Sequence, residues 1–245
     1  MRFYLGTHMP HWLDHPRIAV PLFVSHRRLA ARRTLPRARV PWALDSGAFT
    51  ELSLFGGWET TAARYVAAVR RYHDEIGLLD WAAPMDWPCE PHIVHRTGLS
   101  VRRHQENTVD NYLALRAAAP EVSFVPVLQG WDLDDYVLAV SLYERAGVDL
   151  TTLPLVAVGS VCRRQATREI GTIVETLAGI GIPLHGFGVK ARGLRAYAPR
   201  LASADSMAWS YSGRHRPGCA PSHRSESNCM TYALAWRARL LSTTG

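Results

Sequence analysis

Lysine is almost absent from this chain. Lys190 is the sole lysine among 28 basic residues, so arginine carries nearly all the positive charge. Against 21 acidic residues this leaves a net charge of +7. Two readings of the bias stand side by side: GC-rich codon usage, or a polyanionic partner whose phosphates arginine neutralises with release of counterions. Cysteine is scarce, with four in 245 residues. The N-terminus, MRFYLGTHMPHW, has no apolar stretch of signal-peptide type, and together these features argue against a disulfide framework. No apolar run approaches the roughly 18 residues that span a bilayer. The expectation is a soluble, cytoplasmic protein with no membrane partner. Low-complexity tracts and short repeats are missing, which excludes solenoids and charged tails.

What is present suits a packed core, with 47% hydrophobic and 20% charged residues. Eight short apolar runs recur, at 2–7, 20–25, 42–47, 79–86, 124–130, 155–160, 184–189 and 203–209. They read as strands buried on both faces. Between them, 60–76, 101–119, 132–147 and 166–180 place apolar residues at the 3.6-residue period of a helix, as does 227–241 after the last strand. The early connections, 8–19 and 26–39, are Pro- and Arg-rich and poorly periodic. Eight strands alternating with helices predict an α/β protein, a (β/α)8 TIM-type barrel forming a single domain over 1–245, followed by a Cys/His loop and a C-terminal helix. An open doubly wound sheet is the rival architecture.

In such a barrel the site lies at the C-terminal ends of the strands. Here the runs end in Thr7-His8, Ser25-His26, Asp45-Ser46, Asp86, Gln129, Gly159-Ser160, Gly188 with Lys190, and Asp205-Ser206. Three carboxylates and an amide converge on one mouth. That pattern points to an enzyme without naming its reaction.

Six motifs narrow the reading: LDSGAF, PMDWP, VLQG, AVGSV, HGFGV and ADSMA. In this order and spacing, from about residue 42 to 230, the chain resembles the tRNA-guanine transglycosylase superfamily. Its short length, with no added RNA-binding domain, is most similar in character to the branch that places 7-deazaguanines in DNA. The resemblance implies base exchange, in which guanine leaves its sugar and a 7-deazaguanine such as 7-cyano-7-deazaguanine takes its place. Asp205 is then the nucleophile that forms a covalent bond to the sugar. Asp45 is the general acid/base that serves the leaving and incoming bases. Asp86 accepts from the donors of the guanine face. Gln129 and the backbone N–H groups of Gly159 and Ser160 supply donors to O6. Ser46, in the same turn as Asp45, binds substrate, and Phe49 and His185 pack on the ring of a nucleotide flipped out of its stack.

The same resemblance implies a structural zinc site after the last strand. Cys219, His223 and Cys229, in a candidate zinc-binding loop over 215–230, offer three ligands for Zn2+. Glu226 or His215 would be the fourth. Lys190, Arg192, Arg214 and Arg216, with Arg163, Arg164, Arg195 and Arg224, form a phosphate-tracking rim or a solvated arginine surface. Each motif also has a plainer role: Asp45 as a cap, Asp86 and Asp205 in turns, Phe49 in the core. The expected partners are nucleic acid, DNA before tRNA, a 7-deazaguanine base, and a protein that opens the duplex. The alternatives are the same exchange on tRNA or a small nucleoside, a barrel that only binds nucleic acid, or a barrel enzyme for a phosphorylated metabolite.

Overall fold

The apolar runs do form strands. In the computed structural model, which describes residues 1–243, they are β1 (Arg2–Thr7), β2 (Leu22–Ser25), β3 (Trp42–Asp45), β4 (Leu79–Ala82), β5 (Val127–Leu128), β6 (Val156–Val158), β7 (Leu184–Gly186) and β8 (Leu201–Ser206). All pairings are parallel, in the order β4-β3-β2-β1-β8-β7-β6-β5. The sheet curls, and β4 at one end bonds the segment just ahead of β5 at the other. The Ala82 N–H donates to the Ser123 carbonyl at 2.9 Å and the Val125 N–H donates to the Ala82 carbonyl at 3.1 Å, just ahead of β5. A parallel sheet of this kind needs cover on its outer face, which helices supply.

The helices are α1 (His26–Leu29), α2 (Ala48–Phe55), α3 (Ala62–Glu75), α4 (Pro91–Thr97), α5 (Val101–Ala118), α6 (Leu133–Arg145), α7 (Arg168–Gly179), α8 (Ala191–Tyr197), α9 (Ala208–Gly213) and α10 (Met230–Ser242). The long ones start where the sequence offers a cap. Thr61, Ser100 and Thr167 each accept from the backbone N–H three residues on, and Asp132 with Asp135 makes a reciprocal capping box. On α3 the buried face is Tyr65, Val66, Val69 and Tyr72, as the periodicity predicts. None of the described helices is long and apolar enough to cross a membrane.

Two apolar layers result. The larger lies between sheet and helices and takes Phe3, Leu5, Leu22, Val24, Trp42, Leu44, Leu128, Val156 and Val158 from the strands. The smaller fills the inside of the curl with Tyr4, Phe23, Ala43, Trp81, Val127 and Ala157. Successive strand residues point to opposite faces. Every strand run that looked uniformly apolar therefore splits into an outward and an inward set. The inward set matters for function, because two residues further along each strand the same parity delivers side chains to the mouth.

Candidate functional site

Parity brings the strand ends together. Asp45 follows Ala43 by two residues, Gln129 follows Val127, Gly159 follows Ala157 and Asp205 follows Ser203. Together with Asp86 and Glu90 from the segment after β4, Asp45, Gln129, Gly159, Ser160 and Asp205 line one cavity of about 210 Å3. Phe23, Phe49 and Phe187 give it apolar faces. The volume is below the about 300 Å3 at which drug-sized sites begin, and suits a single heterocycle.

One side of the cavity is a chain of side-chain hydrogen bonds. Asp86 Oδ1 accepts from the Ser46 hydroxyl at 3.0 Å, and its Oδ2 accepts from Gln129 Nε2 at 2.6 Å. Gln129 Oε1 in turn faces the Ser160 hydroxyl at 2.7 Å. That hydroxyl also lies 2.9 Å from Glu90 Oε2 and accepts from the Cys89 N–H at 2.7 Å. Its one proton is shared between two acceptors. Ser160 adopts a left-handed φ of 54°, a conformation that a non-glycine residue keeps only where its surroundings hold it. Gly159 is required by space: a Cβ there would sit 2.3 Å from Gln129 Nε2. Burial pushes the Asp86 carboxyl up to about 7; the Asp45 charge adds to this, and the bonds from Ser46 and Gln129 oppose it.

The other side holds the two remaining carboxylates. Asp45 Oδ1 accepts from the Gly47 N–H at 3.1 Å, so the carboxylate closes the turn into α2 and still lines the cavity. Burial raises its proton affinity; the Ser25 hydroxyl and the Gly47 N–H work against this, and Asp205 adds to it. Asp205 Oδ1 accepts from the Gly188 N–H at 2.9 Å and lies 3.4 Å from His185 Nε2. The other ring nitrogen of His185 lies 2.8 Å from the Ser203 hydroxyl.

Three positions depart from expectation. His185 does not line the cavity. It is fully buried outside the cavity wall, among Tyr4, Phe23, Trp81 and Phe187. Parity turns it inward one step below the mouth, and Phe187, two residues on, takes the wall position instead. Ser46 is one residue off the inward parity and serves Asp86 from behind. Glu90 was not foreseen. Placed before the helix-starting Pro91 it reads as a cap, yet it makes no cap bond and lines the cavity. Phe49 does line the cavity, with the Arg163 guanidinium 4.9 Å from its ring centroid.

Outside the cavity, the Cys/His loop draws Cys219, His223, Glu226 and Cys229 together, with one ligand atom from each within 4.8 Å of the others. The two thiol sulfurs are 3.6 Å apart, Cys219 Sγ lies 3.7 Å from His223 Nε2, and His223 Nε2 lies 3.7 Å from Glu226 Oε2. A tetrahedral zinc with bonds of about 2.0–2.3 Å sets its ligand atoms about 3.3–3.8 Å apart. Glu226 Oε2 is buried with no hydrogen-bond partner, as an oxygen reserved for a cation would be. Of the two fourth ligands considered, Glu226 is the one brought in; His215 packs edge-on against Tyr211 instead. The donor set fits a metal ion. Lys190, Arg192, Arg214 and Arg216 are all exposed. Arg214 lies over Tyr211 and Arg216 over Tyr232, and Lys190 sits at the start of α8, close enough to the cavity residue Cys162 to act on its thiol electrostatically.

No curated protein matches the chain. A family profile does, over its full length: residues 1–245 match DpdA, described as DeoxyPurine in DNA protein A. With three carboxylates and a glutamine converging at the strand ends, and a match across the whole sequence, the chain belongs to the DpdA family, a DNA 7-deazaguanine transglycosylase family related to tRNA-guanine transglycosylase.

Proposed function

We propose that the protein exchanges a guanine in DNA for a 7-deazaguanine at the C-terminal mouth of a (β/α)8 barrel. The observation that carries this is the placement of Asp205 and Asp45 on the same small cavity as the Asp86–Gln129 pair. A guanine flipped into the cavity offers its N1–H and 2-amino donors to the free lone pairs of Asp86, while Gln129 and the Ser160 N–H face O6; the Gly159 N–H, expected to join them, is instead taken by the Leu128 carbonyl at 2.9 Å. Phe49 and Phe187 bound the ring. A carboxylate oxygen of Asp205 attacks C1′ from the face opposite the base. The C1′–N9 bond breaks, its electron pair leaves with the purine, and Asp45 gives the purine a proton. The incoming 7-deazaguanine then gives its N9 proton back to Asp45. Its nitrogen attacks C1′ and expels the Asp205 carboxylate. The Gly188 N–H supports the charge on Asp205 at both ends of this cycle.

Cys219, His223, Glu226 and Cys229 are the residues that would hold a structural Zn2+. The ion would fasten the loop after α9 to the start of α10. Lys190, Arg192, Arg214 and Arg216 would form a rim for the strand, and a partner protein would open duplex DNA for so small an enzyme. The test is incorporation of labelled guanine and labelled 7-cyano-7-deazaguanine into single-stranded DNA, duplex DNA and unmodified tRNA. Label entering DNA but not tRNA, and lost in Asp205→Ala, is the expected result. Label entering only tRNA would keep the chemistry and change the polymer. Label in single-stranded but not duplex DNA would support the need for a partner.

A further inference from the structure

Asp45 also borders a second cavity, of about 440 Å3, which shares no other wall residue with the first. Its other walls include Thr7, His8, Ser25, Arg27, Arg28 and Met207, from the ends of β1 and β2, the start of α1 and the turn after β8. Two arginines, a histidine and three hydroxyl residues (Thr7, Ser25 and Thr50) line a space whose sole acidic wall residue is Asp45.

The arginines are held differently. Arg27 is pinned by buried Glu51, with Nη1 to Oε2 at 2.7 Å, and Glu51 is itself fixed by the Thr60 N–H and hydroxyl, both at 3.1 Å. The Arg27 stem therefore lies across the Asp45–Gly47 turn, so close that a Cβ on Gly47 would come within 2.8 Å of its Cγ. Arg28 is exposed and makes no hydrogen bond or ion pair among the described residues. One fixed cation and one uncommitted cation beside hydroxyls suit a tetrahedral oxyanion.

Position identifies the anion. Asp205 and Asp45 must flank C1′ if the base lies in the first cavity, so the sugar sits between the two cavities and its phosphate extends into the second. We infer that the second cavity binds a backbone phosphodiester beside the exchanged nucleotide, with Arg28 as its principal charge contact. This rests on the base-exchange reading above. Burial favours the acid form of Asp45, which is the form that gives the leaving base its proton and the form that does not repel a phosphate.

The experiment measures binding of a single-stranded oligonucleotide with one target guanine, by fluorescence anisotropy, from about 50 to about 200 mM salt. The proteins are wild type, Arg28→Ala and Arg28→Lys, with thermal melts to confirm folding. Losing one phosphate contact should flatten the slope of log affinity against log salt by about 0.7. Wild type should then lose about 2.5-fold more affinity than Arg28→Ala over that range, and Arg28→Lys should keep most of the wild-type slope. A neutral methylphosphonate placed beside the target guanine should weaken wild type but barely affect Arg28→Ala, because both changes remove one contact. An unchanged slope in Arg28→Ala, or penalties that simply add, would overturn the inference. Base exchange on the same oligonucleotide separates the two failures. Exchange by wild type with an unaffected Arg28→Ala slope sinks only the phosphate site, whereas a wild type that neither binds nor exchanges sinks the functional reading with it.

Discussion

The two sides of the first cavity are built on different plans. On the side proposed to read the base, Ser46, Asp86, Gln129, Ser160 and Glu90 form one continuous run of side-chain contacts. On the side proposed to react, Asp45 and Asp205 are held separately, chiefly by the backbone N–H groups of Gly47 and Gly188. The run of contacts fixes a shape, since no member can move without disturbing the next. The separately held carboxylates keep lone pairs free for a substrate. Selectivity and chemistry should therefore fail independently.

The largest effect should come from the reacting side. Asp205→Ala removes the proposed nucleophile, and exchange should fall by at least about 10³-fold with the melting temperature little changed. Asp45→Ala removes the proposed proton donor and should cost about 10²–10⁴-fold. Near wild-type exchange by Asp205→Ala would end the double-displacement mechanism. The base-reading side is broken by Gly159→Ala. The new Cβ, 2.3 Å from Gln129 Nε2, must push the amide away from Asp86. We expect KM for the incoming base to rise about 10²-fold, the worth of one or two charge-assisted hydrogen bonds, with kcat much less affected. An equal fall in kcat would show that the two sides are not separable.

The pH dependence sharpens the same contrast. In the proposed role Asp86 accepts from base donors as a carboxylate, and burial pushes its carboxyl up to about 7. Below that point kcat/KM should fall about tenfold per unit, and Asp86→Asn should abolish this limb along with most of the activity. Asp45 is also raised, so the observed midpoint belongs to the pair. Stability has a definite sign here. A carboxyl raised by burial binds its proton more tightly in the folded state than in the unfolded one. Its favourable contribution is present at acid pH and is lost as pH climbs from about 4 through about 7. Asp86→Asn should therefore flatten the decline in urea midpoint between pH 5 and pH 8.

His185 tests whether the reacting side has a support of its own. It touches Asp205 and Ser203 but not the cavity. His185→Gln should lower kcat about tenfold and leave KM unchanged, as expected for misplacing a nucleophile by a fraction of an ångström. Ser203→Ala, which frees the far side of the ring, should move kcat the same way by less. A matched rise in KM would mean that His185 shapes the base pocket after all.

How much of this could be read from the sequence follows from geometry. All eight strands were legible because buried apolar runs are short, frequent and stopped by polar residues. The long helices were legible from their period and caps. The short ones, α1, α2, α4, α8 and α9, were not, because fewer than three turns give periodicity little to act on. Asp45, Gln129 and Asp205 stood out as strand ends, and strand parity explains why they meet. Parity also explains the errors. His185 and Phe187 share a face, and only packing inside the curl decides that one is buried and the other lines the wall. Glu90 was hidden because its position before Pro91 has an adequate local explanation as a cap. Of the second cavity, Thr7, His8 and Ser25 were legible as strand ends, whereas Arg27 and Arg28 were not, since they lie in a Pro- and Arg-rich stretch with no pattern.

The smallest effect on exchange should come from the Cys/His loop, which lies outside both sides of the cavity. None of its four candidate ligands lines the cavity, so a metal there would act on stability. Its attachment is local: Cys229 also accepts from the Tyr232 N–H at 3.4 Å as α10 begins, and Pro217 pairs with Ser225 across the loop. Losing the ion would release that loop and the start of the helix while leaving the sheet intact. Elemental analysis of purified protein should find one zinc per chain. Cys219→Ser should lose it, lower the melting temperature by about 5 °C, and change exchange by no more than about twofold. Glu226→Gln should weaken retention of the metal under chelator, since the amide oxygen carries no charge to offer it. Full zinc occupancy in Glu226→Gln with unchanged resistance to chelator would remove Glu226 from the ligand set. A collapse of exchange in Cys219→Ser at a temperature where the protein stays folded would make the loop part of the reacting side.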